Sequence, residues 1–219
     1  MRFLRCVHAE FLLVAPRLTR TRLGVALLTL GIALVWLTTR GLDPLTAALL
    51  AGALGAITVV AASASSERDH AALTTALTHP TTPLAVATGR WLAMIVPATA
   101  LVIGCTVAIG WRTGTVLASV VAAAAVGGCA LAVAVPLGTS GVLTLFILMA
   151  VAGAIAPEHL VDLARPGVVR WAAASALELG PALWHYRDIA TGDVGALLHA
   201  VAWTGLGILL ASGFVARRR

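Results

Sequence analysis

Long apolar runs separated by short polar breaks occupy most of the chain. Six of them, residues 23–38, 44–63, 91–110, 115–135, 141–156 and 194–214, come near the roughly 20 residues a helix needs to cross a bilayer. No Asp, Glu or Arg stands in the central part of any of the six. The pattern predicts helices, because a backbone in lipid must satisfy its own hydrogen bonds and a helix does so within one segment. The period-two alternation of a barrel strand is not seen. Pro44 suits the first turn of the second run, and Pro136 and Pro157 mark the ends of the fourth and fifth. The chain therefore reads as an all-α integral membrane protein, a single domain over residues 1–219 with six transmembrane helices.

Three segments outside these runs carry patterns of their own. In residues 1–21, Phe3, Val7, Phe11 and Val14 recur at spacings of three and four, which predicts an interfacial amphipathic helix ending near Pro16. Over residues 66–80, Ser66 suits a helix cap, Glu67 and Asp69 suit the first turn, and Ala72, Leu73, Ala76 and Leu77 form an apolar side. Pro80 and Pro83 would then break that helix. Residues 157–193 predict two or three short helices that lie at the outer face or dip into it, with Trp171, Trp184 and Tyr186 at headgroup depth. Arg170, Glu178 and the Gly180-Pro181 pair count against a seventh span there.

Composition narrows the class further. Hydrophobic residues make up 60% and charged residues 11%, with mean hydropathy +0.98. A soluble domain carries about 25% charge, so a water-facing surface, a disordered chain and a coiled coil are excluded. All 15 basic residues are Arg, against 9 acidic residues, and they sit between apolar runs rather than on one stripe, which excludes nucleic acid as partner. Ten of the 15 fall on the inner side if both termini are cytoplasmic. Six of the 9 acids (Asp43, Glu158, Asp162, Glu178, Asp188, Asp193) then fall outside. This bias predicts a multi-pass protein of a bacterial-type cytoplasmic membrane with both ends inside. Arg17, Arg20 and Arg22 interrupt the place where a secretory leader would need its apolar core.

Catalytic chemistry is sparse. The six His residues show no short metal-ligand spacing, and no Asp lies in a span core. Cys6, Cys105 and Cys129 are scattered and suggest neither disulfides nor a metal cluster. With no Lys in the chain, a phosphate-binding loop of the Gly-x-x-x-x-Gly-Lys kind is excluded. Polar side chains along a path are sparse; Thr99, Thr106, Thr144 and Thr204 are the candidates, and each can bond to its own helix. Runs of small residues, such as Gly52 to Ala56, Ala122 to Ala130 and Gly205 to Gly207, suit close helix contact.

Several features together resemble the membrane (permease) subunit of a type-2 ATP-binding-cassette (ABC-2) exporter. They are the interfacial helix, Glu67-Arg68-Asp69 after the second span, Leu73, Leu77 and Pro80 behind them, and Gly89-Arg90 leading into the third span. The short external helices and the basic tail complete the set, and the similarity covers essentially the whole chain. It implies that residues 66–80 form a coupling helix seated in a cytoplasmic nucleotide-binding ATPase, through Glu67, Arg68, Asp69, Leu73, Leu77 and Pro80. The first helix would support that contact through Arg5, Phe11 and Arg17. Where the family has Gly-Thr, this chain has Ala71-Ala72. The resemblance implies two copies, or this chain with a related permease, around a translocation path in membrane lipid. ATP and Mg would be bound by the partner and no cofactor by this chain. The haem-export membrane subunit of cytochrome c maturation is similar in size and layout. The residues leave open a secondary transporter without ATPase, a non-transporting membrane scaffold, and a membrane-embedded enzyme acting on a lipid-like substrate near Glu67, Asp69, His70 and His79.

Overall fold

A computed structural model describes residues 2–19, 23–68, 82–152, 167–168 and 180–217. Among these residues the chain is helical, with no strand. The helices are α1 (Arg2–Thr19), α2 (Leu23–Thr39), α3 (Pro44–Arg68), α4 (Pro83–Ile109), α5 (Thr113–Ala152), the short α6 (Leu183–Tyr186) with a 3-10 turn (Arg187–Thr191), and α7 (Val194–Ala216). Four of them, α3, α4, α5 and α7, are long and apolar enough to cross a membrane, whereas α2 has 17 residues and is shorter. The fifth expected span, 141–156, is described only as far as Ala152, where α5 ends.

Local chemistry sets the helix starts. Pro44 opens α3 behind Asp43, whose Oδ2 accepts from the Thr46 amide at 3.0 Å and the Thr46 hydroxyl at 2.8 Å. Asp193 opens α7 in the same way, its carboxylate accepting from the Gly195 amide at 2.7 Å. Gly41, with φ 102°, makes the tight turn between α2 and α3, a backbone conformation that other residues adopt only at a cost.

Four boundaries differ from the sequence expectation. α1 continues past Pro16 to Thr19. α3 runs unbroken through Ser66 to Arg68, so Ser66 is not a cap. The run Ala61-Ala62-Ser63-Ala64-Ser65 contains nothing that stops a helix. α4 begins at Pro83 rather than Trp91, because Thr82 is its cap (Oγ1 accepts from Ala85 N at 3.3 Å) and Pro83 takes the first helical position instead of breaking a helix. Finally, the break after the fourth span falls at Gly138 (φ 66°, ψ −153°), two residues beyond Pro136. A Cβ on Gly141 would lie 2.9 Å from Cγ1 of Val133. Eight residues of straight helix span about 12 Å, so the chain folds back on itself here.

α5 is the centre of the bundle, packed most extensively against α3 and then α7. The apolar window is 61% buried in α3 and in α5, but 33% in α4 and 22% in α7, which leaves the last two with broad faces toward lipid. Small residues make the central contacts possible. Gly52 lies directly against the Ser119 carbonyl, and Gly207 against the backbone of Gly128, so these helix pairs meet backbone to backbone. A side-chain tie crosses from α4 to α5, where Trp91 Nε1 donates to Ala124 O at 3.2 Å.

Candidate functional site at the Arg90 end of the bundle

The two ends of the bundle differ in chemistry, and the end where α4 begins holds most of the residues that the resemblance singles out. α1 packs against the start of α4 through Val7, Glu10, Phe11 and Val14. Those positions form one helical face, and Glu10 is a carboxylate in the middle of it. Its Oε2 lies 3.6 Å from Nε of Arg90, with side chains only 7% (Arg90) and 5% (Glu10) exposed. A buried charge needs a partner, and this pair joins the first helix to the fourth. Gly89 lets them approach: a Cβ there would fall 2.6 Å from Cβ of Glu10 and 2.7 Å from the Val7 carbonyl oxygen. One turn further along α4 is Met94, whose sulfur receives the Ser63 hydroxyl at 3.8 Å. The end of α3, with Glu67 and Arg68 in its last turn, therefore lies at this same end.

The structure thus places Glu67 and Arg68 on α3 beside the α1–α4 junction. Phe11 is half-buried against the core, and Arg5 is exposed on the far face of α1 with Leu4, His8 and Leu12. Arg17 belongs to the last turn of α1. Asp69, Leu73, Leu77 and Pro80 lie outside the described residues. Sequence reasoning missed the Glu10–Arg90 pair. The available signal was an acid between Val7, Phe11 and Val14 on the otherwise apolar face.

At the opposite end, Asp43 Oδ2 accepts from Nη2 of Arg187 at 3.1 Å, both side chains being about half exposed (50% for Arg187, 49% for Asp43). Burial alone would push the Asp43 carboxyl up, but the hydrogen bonds from Thr46 and the Arg187 guanidinium outweigh it and hold its pKa below the ordinary value. α6 and the 3-10 turn are the described part of the expected external helices. Here His185, Asp188 and Asp193 bring ligand atoms within 4.8 Å of one another, a cluster not evident from their spacing. Asp193 already caps α7, and both acids are exposed. Deeper in, Trp203 Nε1 donates to His199 Nε2 at 3.1 Å, so the proton of neutral His199 sits on Nδ1. Nδ1 of His199, the Tyr186 hydroxyl and Trp184 Nε1 are buried and find no hydrogen-bond partner among the described residues. Of the span threonines, Thr106, Thr144 and Thr204 donate to the carbonyl four residues back, at 2.8–3.0 Å.

The apolar helices, the backbone-close central packing and the exposed apolar sides of α4 and α7 define a membrane-embedded protein that is helical throughout its described residues. Comparison with known proteins returns no match: no family model fits the chain, and neither a curated protein nor a solved structure is similar to it.

Proposed function

We propose that the chain is the membrane subunit of an ATP-driven ABC-2 type exporter. In this reading it crosses the cytoplasmic membrane six times, with α2 as the first span and residues 141–156 as the fifth. The Arg90 end faces the cytoplasm together with both termini, and a separate nucleotide-binding ATPase docks there. The observation that carries this reading is the junction of α1, the end of α3 and the start of α4. A buried ion pair and a glycine contact fix a surface helix to the bundle beside the residues that would meet the ATPase. A helix held in this way can pass a push from a partner into the membrane helices. The bundle offers α4 as the receiving element, tied by Trp91 to α5. Charge bias along the sequence favours the same orientation. A second copy of the chain or a related permease would complete the path. ATP and Mg would belong to the ATPase.

The test is purification of the tagged chain from its own membranes in mild detergent, with mass spectrometry and an ATPase assay of the complex. A stoichiometric nucleotide-binding subunit, lost on the double reversal Glu67→Arg and Arg68→Glu while the chain still inserts, is the expected result. A stable chain with no such subunit in several detergents overturns the proposal and turns attention to a secondary transporter or a lipid-acting enzyme.

A further inference from the structure

α2 and α4 come close where Gly31 lies against Leu101 and Cys105, and where Leu34 shares a cluster with Val102 and Cys105. Between the two helices runs a groove of about 720 Å³, open along one side, lined by Gly24, Ile32, Trp36, Pro97, Gly104 and Ala108 among others. Among the described residues none of the lining is charged. Glycines keep it open: a Cβ on Gly24 or Gly104 would meet nothing within 4 Å. From Gly24 to Trp36 the groove follows about 18 Å of helix, close to the depth of one leaflet at about 15 Å. Its mouth has a different character. Arg40 stands one turn beyond Trp36, and its guanidinium lies 5.0 Å from the centre of the Trp36 ring. Among the described residues Arg40 has no carboxylate partner, and Asp43, three residues on, is engaged by Arg187 and Thr46.

We propose that this groove binds one acyl chain of an anionic phospholipid, with the lipid phosphate at Arg40. An apolar slot one leaflet deep, ending in a positioned cation at headgroup level, matches an amphipath with a negative head. The rim charge also argues against a second copy of the chain as the occupant. A twofold interface here would set two Arg40 guanidinium groups at the same depth, like charge toward like charge. The inference is independent of the ATPase reading and survives its failure.

The experiment uses the full chain in nanodiscs of equal phosphatidylglycerol and phosphatidylcholine, released into mild detergent for native mass spectrometry. The wild type is expected to retain about one lipid per chain, with phosphatidylglycerol favoured about fivefold, the preference one arginine near an anionic headgroup supplies. Arg40→Gln should still retain lipid but at near parity between headgroups. Gly104→Leu, whose side chain has room to project into the groove, should lose both lipids. A wild type that retains no lipid overturns the proposal, as does an Arg40→Gln chain with its preference intact. So does disulfide cross-linking of Leu28→Cys chains into a dimer across this face. Should Gly104→Leu fail to fold, the headgroup preference of Arg40→Gln decides alone.

Discussion

Among the described residues an arginine–carboxylate pair stands at each end of the bundle, and the two pairs differ in almost every respect that matters. Glu10–Arg90 is buried, at 3.6 Å, between two helices that are distant in the chain. Asp43–Arg187 is shorter, at 3.1 Å, yet half exposed, and its acid is held in place by Thr46 as a helix cap. Distance alone would rank the second pair as stronger. Burial reverses the order when one partner is removed. An exposed pair is screened by water and contributes about 0–1 kcal/mol, whereas removing half of a buried pair exposes the other charge to an apolar interior. The lesson is that one end is fastened by a contact with a high cost of breaking, and the other by a cap that carries an ornament of charge.

The largest effect is expected from Glu10→Ala, which takes a carboxylate from the buried Arg90 guanidinium. Unfolding in detergent should show a loss of up to about 3–5 kcal/mol. The double variant Glu10→Leu with Arg90→Leu should recover most of that loss, since an apolar pair of similar volume needs no charge partner. A double variant as unstable as the single one would mean that the pair does not carry the junction. Next comes Gly89→Ala, predicted to cost about 1–3 kcal/mol because its Cβ meets the Val7 backbone, which cannot swing away. It should also lift α1, read as faster maleimide labelling of the half-buried Cys6. Smaller still is Arg187→Ala, expected to change stability by no more than about 1 kcal/mol and to lose that effect in high salt. The smallest is a pH effect. The lowered pKa of Asp43 means that its contribution is fully present above the unfolded value near 4 and is lost as the pH falls through the folded one. Acid unfolding curves of wild type and Arg187→Ala should therefore converge at low pH.

The sequence made much of the membrane architecture legible, and for identifiable reasons. Leu23, Pro44 and Val194 start helices where the apolar runs start, because capping and hydropathy point to the same residues there. The same rule failed at Pro83. A proline reads equally as a break or as the first residue of a helix, and only Thr82 with its bond to Ala85 decides between them. The turn at Gly138 was hidden for a related reason: Pro136 stands nearby and drew the boundary to itself. The Glu10–Arg90 contact was not read because it joins segments on either side of two helices. Periodicity reports which face of α1 is buried, but not what lies against it. Of the residues that the resemblance would set against an ATPase, only Glu67 and Arg68 fall on described backbone, and they continue α3 rather than open a new helix.

The packing of α1 has a consequence for biosynthesis. Its chain neighbour is α2, but its main partner is α4, which is translated only after α2 and α3. While those two helices are being made, neither Gly89 nor Arg90 exists to receive Glu10 and the apolar face of α1. Docking comes when Gly89 and Arg90 leave the ribosome and α4 enters the bilayer. α1, made before α2 and α3, is therefore among the late helices to find its place, and a chain arrested before Arg90 should carry α1 loose on the membrane.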